Sequence, residues 1–144
     1  MKALAVNKKA RFEYDLKDTY EAGLVLTGAE VKAAKSGNIS LTGSYVTISG
    51  DSVYLVNCHI GPYKYAPNES YDPTHTRKVL LNKEEINELI GKEKGLTIVP
   101  VQVYTTGRGL IKLTIAIARG RKKEDKREYI KERDTKRDIR REVR

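Results

Sequence analysis

From Leu110 to Ala118 the chain alternates, with Ile111, Leu113, Ile115 and Ile117 on one face and Lys112, Thr114, Ala116 and Ala118 on the other. A period of two predicts a half-buried strand. Leu96 to Tyr104 is rich in Val and Ile with Pro100 inside it, which predicts an edge strand or a bulge. Thr105-Thr106-Gly107-Arg108-Gly109 supplies a hairpin loop between the two. A second hairpin is predicted at Tyr45 to Ile48 and Val53 to Asn57, joined by Ser49-Gly50-Asp51-Ser52. Tyr20 to Leu26 reads as another strand, with Leu24 and Leu26 on one face. Two short helices carry punctuation at both ends. Thr27-Gly28-Ala29-Glu30 has capping-box spacing and Gly37 can end that helix; Asn82-Lys83-Glu84-Glu85 repeats the signature, Ile86, Leu89 and Ile90 form its stripe, and Gly91 is the expected stop.

Strands dominate, come in hairpins and have the helices between them. The expected fold is mainly β, a small antiparallel barrel with two or three short flanking helices, because closure removes edges that a basic, soluble monomer would leave exposed. Residues 61–76, with Pro62, Pro67 and Pro73, read as one long irregular loop.

Charge divides the chain in two. The net charge is +9 over 144 residues, but Arg119 to Arg144 holds 13 basic and 7 acidic residues, so two thirds of the excess sits in the last 26. Only Tyr129, Ile130, Ile139 and Val143 are apolar there, too few to bury a helical face. We expect a body over residues 1–119 and a basic tail over 120–144. If the tail is helical, Arg133, Arg137 and Arg141 form one stripe and Glu124, Glu128 and Glu132 another; like charges at that spacing repel. Such a tail is expected to be disordered when free and helical against a polyanion.

Chemistry by catalysis finds no support. The single Cys58 excludes an internal disulfide and any paired-cysteine zinc module. Cys58 reads as a buried strand residue and His59 as an ordinary neighbour. Gly107-Arg108-Gly109 lacks the spacing of a phosphate loop, and no serine sits in a nucleophile-elbow context. No metal and no cofactor are implied. No apolar stretch approaches a membrane span of roughly 20 residues, and Met1 to Val6 is too short for a signal peptide, so a cytoplasmic protein is expected.

Basic residues interleaved with rings are more informative. Asn7-Lys8-Lys9-Ala10-Arg11-Phe12-Glu13-Tyr14 places an amide, three cations and two rings within eight residues. Cations pair with phosphates and rings stack on unpaired bases. Asp72 to Lys78 is a second cluster at the foot of a strand, and Lys112 is the one charge on the small polar face of the last strand.

These residues carry a resemblance. Asn7-Lys8-Lys9-Ala10-Arg11, then Tyr20 to Gly28 with Glu30-Val31-Lys32, Asp72-Pro73, Arg77-Lys78 with Leu80-Leu81, Gly95-Leu96-Thr97 to Pro100, and Ala118-Arg119-Gly120 leading to Asp125-Lys126-Arg127 together resemble the small protein B family, bacterial binding proteins of transfer-messenger RNA. The likeness runs in order along essentially the whole chain. It implies an oligonucleotide-binding (OB)-type barrel without enzymatic activity or cofactor, bound to the tRNA-like domain of transfer-messenger RNA. The two would enter stalled ribosomes together, rescue them and let the incomplete peptide be tagged for degradation. It places Asn7, Tyr14, Glu21 and Lys112 at the RNA face, with Lys8, Arg11, Lys32, Arg77, Lys78 and Arg119 in support. It places the tail in the small-subunit decoding region and message channel, with Arg121, Lys122, Asp125, Lys126 and Arg127 matching its motif and Lys131, Arg133 and Arg137 following. Three positions depart: Glu124 where the family commonly has an aromatic or His, Phe12 where it often has His, and His75 where Arg is common. An acid cannot stack as a ring does. A generic ribosomal RNA-binding barrel, or a protein-interaction module acting through the tail, would share the charge.

Overall fold

The alternating segments become strands and the capped segments helices in the computed structural model, which describes residues 2–65, 70–92 and 96–120. In chain order these are β1 (Lys2–Val6), α1 (Lys8–Glu13), β2 (Tyr14–Leu24), α2 (Gly28–Lys35), β3 (Ile39–Ser40), β4 (Tyr45–Ser49), β5 (Ser52–Val56), β6 (His59–Ile60), β7 (Arg77–Leu80), α3 (Lys83–Lys92), β8 (Thr97–Thr105) and β9 (Ile111–Gly120). The expected tail contacts Arg121, Lys122, Asp125, Lys126, Arg127, Lys131, Arg133 and Arg137 lie outside the described residues, as does the side chain of Arg11.

The main sheet is antiparallel with seven strands in the order β1-β8-β9-β2-β7-β5-β4, and β3 pairs with β6 separately. No ladder joins β1 to β4, so the sheet is open where a closed barrel was expected. It is bent, however. Register shifts by one residue at Ala3/Ala5 in β1, Leu16/Thr19 in β2 and Pro100/Gln102 in β8, and each bulge adds local twist. β4 thereby comes to lie against β8, and β3 against β1.

Inside the bend, Val53, Leu55, Val79, Val103, Leu113, Ile115 and Ile117 form the main core with Leu89 of α3 and Ala33 of α2. Outside it, a second core joins Ala10 of α1 to Val99, Val101, Ala116 and Ala118, with Tyr14 and Leu16 packed at its rim. β9 is therefore buried on both faces, not half-buried: Thr114, Ala116 and Ala118 are covered as fully as the isoleucines opposite them. Alanine is what the outer face requires here, since a bulkier side chain would lift α1 away. Pro100 sits at the bulge of a strand flanked on both sides, where its missing N–H removes no ladder bond. The bulge reverses the alternation after Val101, so that Gln102 joins Val99 and Val101 on the outer side and Val103 turns into the main core.

Other boundaries move. β2 begins at Tyr14 and ends at Leu24, earlier at both ends than Tyr20 to Leu26, because the polar run Asp15 to Asp18 hid its first half. α2 has its capping box, with the Thr27 hydroxyl accepting from the Glu30 N–H and the Glu30 carboxylate from the Thr27 N–H. Gly37, at φ 92°, follows as the left-handed stop. α3 is boxed likewise by Asn82 and Glu85 but runs through Gly91 to Lys92. There Lys92 meets Asp18 at 3.2 Å while the Tyr20 hydroxyl donates to Glu88, which fixes α3 against β2.

One buried charge pair ties the loops together. Arg77 is 1% exposed and Glu30 2%, with Nε donating to the Glu30 carboxylate at 2.7 Å. Nη1 donates to the carbonyls of Cys58 and His75, and Nη2 to the Tyr71 hydroxyl and the Pro73 carbonyl. All five N–H donors of the guanidinium are thus satisfied. The same carboxylate accepts from Tyr71 at 3.1 Å and meets His75 Nε2 at 3.0 Å. Residues 61–65 and 70–76 are irregular as expected, but the second stretch is anchored from beneath. Cys58 is buried against this group as expected, between strands rather than within one, and burial pushes its thiol up to about 11.

Burial opposes ionisation of Glu30, but the Thr27 N–H and the Arg77 guanidinium outweigh it and hold the carboxyl at about 2, below its ordinary 4.5. A carboxyl depressed on folding stabilises the fold above its unfolded value and loses that contribution as pH falls through the folded one. Urea unfolding is therefore expected to show stability falling between about pH 5 and pH 2. In Glu30→Gln this part of the pH dependence should disappear and stability at neutral pH should drop by about 3 kcal/mol, the cost of leaving a buried charge without its partner.

Candidate nucleic-acid interface

Because side chains alternate along a strand, residues paired across β2, β9 and β8 share the outer face. Glu21 stands opposite Thr114, Gly23 opposite Lys112, and Lys112 opposite Tyr104. On the other side of Gly23, β7 contributes Leu80 opposite Gly23, and Lys78, two residues earlier, is exposed beside it and opposite Tyr54 of β5. A Cβ at Gly23 would come within 3.3 Å of the Leu80 Cβ. The absent side chain leaves a flat step between two lysine-bearing strands, and Leu80 is 51% exposed on it.

Glu21 is held in place. The Thr114 hydroxyl donates to its carboxylate at 3.0 Å, the Tyr104 hydroxyl donates to the same group, and Gln102 Nε2 donates to the Thr114 oxygen. Tyr104 is 8% exposed; burial first, then the Glu21 carboxylate, pushes its phenol up to about 12. An exposed carboxylate locked this way keeps acceptor capacity toward solvent. Such a group suits donors on a nucleobase edge or a ribose hydroxyl, while the lysines on either side suit phosphates.

About 25 Å further along the same strands, at 3.4 Å per residue, Tyr14 pairs with Gly120 and Arg119 stands exposed opposite Asp15. α1 lies over this end. Asn7 caps it, with its side-chain oxygen accepting from the Ala10 N–H. Asn7 also straps the helix to the bulge: its side-chain amide donates to the Pro100 carbonyl at 2.9 Å and its backbone N–H to Val101 at 2.8 Å. Lys8 and Lys9 are exposed on the helix. A groove of about 370 Å³ runs between this end and the 42–45 turn, with Lys9, Tyr14 and Tyr45 among its walls.

The structure thus brings Glu21, Lys78 and Lys112 onto one outer surface and sets Lys8 and Tyr14 at its far end, with Asn7 fixing the helix there; Arg119, between the outward Ala118 and Gly120, is exposed at that end on the opposite side of β9. It removes Arg77 from the expected contacts, since a buried guanidinium with five satisfied donors has none for a phosphate. Lys32 lies elsewhere, on α2, with Nζ 5.6 Å from the centre of the Tyr63 ring. Tyr104, Thr114 and Gln102 were missed. Their sequence signal is the polar alternate face of β8 and β9, readable only once the register is known. Among the described residues, no cluster of His, Cys, Asp and Glu could hold a metal ion, and no helix is long and apolar enough to cross a membrane.

Comparison with known proteins gives the same picture a second footing. A family model described as SmpB protein matches residues 4–144. The chain is 47% identical over 146 residues to the SsrA-binding protein of Coprothermobacter proteolyticus, covering 99% of this chain and 97% of that one. It is 50% identical over 140 residues to the SsrA-binding protein of Sulfurihydrogenibium sp., covering 96% and 91%. A chain from the solved structure "tmRNA-SmpB: a journey to the center of the bacterial ribosome" matches with a TM-score of 0.67 and 39% identity, over 87% of this chain and 92% of that one.

The Glu21 clamp has a spectroscopic signature. Replacing Glu21 with Gln removes the negative charge beside the Tyr104 phenol, so an ultraviolet-difference titration should show one tyrosine leaving the region near 12 and titrating closer to the ordinary phenol range, with burial keeping it somewhat raised. Tyr104→Phe should remove the same titration altogether.

Proposed function

The chain belongs to the SmpB protein family, and on that premise we propose that it is the RNA-binding adaptor of trans-translation in its cell. It binds the tRNA-like domain of transfer-messenger RNA and delivers it to stalled ribosomes, which are rescued as the incomplete peptide is tagged for degradation. The observation that carries this reading is the outer face of β2, β7, β8 and β9, where a clamped carboxylate on β2 has Lys112 and Lys78 on the two neighbouring strands and a ring-and-lysine helix closes one end. Glu21, Lys112 and Tyr14 are the direct contacts, Lys8, Arg11, Lys78 and Arg119 the phosphate partners, and Asn7 the residue that positions α1. Lys32 supports a separate contact. The role is one of binding, with no bond made or broken by the chain and no cofactor.

The bent sheet belongs to an OB-type barrel in this reading, supported by the approach of β4 to β8 and of β3 to β1. The body spans residues 1–119 and the basic tail 120–144. The tail becomes helical on the ribosome, where Arg121, Lys122, Asp125, Lys126, Arg127, Lys131, Arg133 and Arg137 meet the decoding region and message channel. The protein works as a cytoplasmic monomer.

Gel-shift titration of the isolated tRNA-like RNA tests the division. Lys112→Ala and Tyr14→Ala should each weaken binding about tenfold, with the lysine change also lowering the salt slope by about one. A chain ending at Gly120 should bind this RNA as the full chain does and fail on stalled ribosomes. Equal binding of an unrelated structured RNA would instead favour a generic ribosomal RNA-binding protein.

A further inference from the structure

On the inner side of the sheet, away from α1, the first turn of α2 and the segment Gly61 to Tyr63 enclose a cavity of about 260 Å³. Its walls are mainly apolar, with Ala29, Pro62 and Tyr63 among them. Its buried carboxylate and the phenol beside it are already engaged, Glu30 with Thr27, Arg77 and Tyr71, and Tyr71 with the Ile60 carbonyl. A site whose polar groups are satisfied internally favours a flat apolar face over an ion. Around its mouth stand rings and cations in alternation. Tyr63 and Tyr65 meet edge to face with centres 5.4 Å apart. Lys32 lies over the first ring, and Lys64 lies 5.0 Å from the centre of the second. Tyr65 is 72% exposed, far beyond what packing requires of so large a ring.

The segment is also rigidly carried. Tyr63 packs on the main core, and the Gly61 N–H donates to the Asn38 carbonyl just past α2. A Cβ on Gly61 would fall 2.0 Å from the Asn38 side-chain amide, so a larger residue there would have to displace that side chain. The rings are thus held at a fixed place in the fold. They also lie on the opposite face from α1 and Tyr14, which pack on the outer core.

We propose that Tyr63, Tyr65, Lys32 and Lys64 form a second RNA site, which stacks an unpaired nucleotide of single-stranded RNA and neutralises its flanking phosphates. Every base has a stacking face, and the walls of the cavity are mainly apolar, so this site discriminates little between bases. Its occupant is a strand other than the folded RNA on the outer face, since Tyr63 packs on the main core and Tyr14 on the outer one. The inference rests on the RNA-binding reading above, but its test separates the two.

The full-length chain would be irradiated with a short single-stranded oligoribonucleotide carrying bromouridine, and the cross-linked peptide mapped. Cross-links are expected at Tyr63 or Tyr65, unchanged when saturating tRNA-like RNA is present and equally strong with the bromouridine flanked by any base. Tyr63→Ala with Tyr65→Ala should reduce them about tenfold, the scale of one lost stacking contact, and leave tRNA-like RNA binding intact. The paired Phe variants should retain the contact. Tyr65→Ala alone changes an exposed ring, so its reduction reports the site and not the fold. Cross-links absent from this segment, or displaced by tRNA-like RNA, would overturn the second site. Loss of tRNA-like RNA binding by the unaltered chain, with cross-links at Tyr63 or Tyr65 intact, would overturn the proposed function and leave the second site standing.

Discussion

A guanidinium removed from water must find an acceptor for every N–H or carry the full desolvation cost of each one left over. Arg77 meets that demand by drawing three separate stretches of chain toward itself: the first turn of α2 through Glu30, the chain after β5 through Cys58, and the irregular run before β7 through Tyr71, Pro73 and His75. None of these stretches has a ladder of its own to hold it there. The placement of α2 follows from this group, and so does that of the loop that would otherwise hang from β7. A lysine could carry the charge but has three donors and no planar fork, so it could not satisfy the same set.

The outer face depends on a different constraint, the backbone irregularity at Pro100. The extra residue in β8 lets Val99 and Val101 face outward while Val103 faces the main core, and Asn7 donates to the carbonyls of Pro100 and Val101 at the bulge while capping α1. A helix of six residues has little stability of its own, and this one is held by its cap and by the alanines beneath it. The result is a surface with a shallow helical rim at one end and a bare strand platform at the other. The carboxylate on that platform has its orientation fixed by Thr114 and Tyr104, and each neighbouring strand carries a lysine, Lys112 on β9 and Lys78 on β7.

Much of this was legible in the chain. Both capping boxes, both hairpins, the bulge at Pro100 and the β-rich class were readable because each is set by local spacing that tertiary packing did not override. What escaped depends on long-range pairing. The alternation in β9 gives the right strand but cannot say that α1 covers its second face, since Ala116 and Ala118 look like solvent-tolerant small residues until Ala10 is laid on them. The first half of β2 is polar and reads as loop. Arg77 illustrates the limit most clearly. In sequence it is one cation beside another, Arg77-Lys78, and strand alternation alone sends the first inward and the second out. Lys112 stood out as the one charge on the polar face of its strand and Glu21 was found through resemblance, whereas their neighbours Tyr104 and Thr114 required the register.

Burial around the Arg77–Glu30 charge pair also governs the one thiol in the chain. Cys58 lies fully buried with its carbonyl accepting from Arg77, and its thiol is held at about 11 by the surrounding protein. A thiolate is the reactive form, so at neutral pH this group is both inaccessible and almost wholly protonated. The natural chain is in effect thiol-free toward alkylating and maleimide reagents. A cysteine introduced at any exposed position would be the one point of attachment for a fluorophore, spin label or cleavage reagent, without first removing the native one.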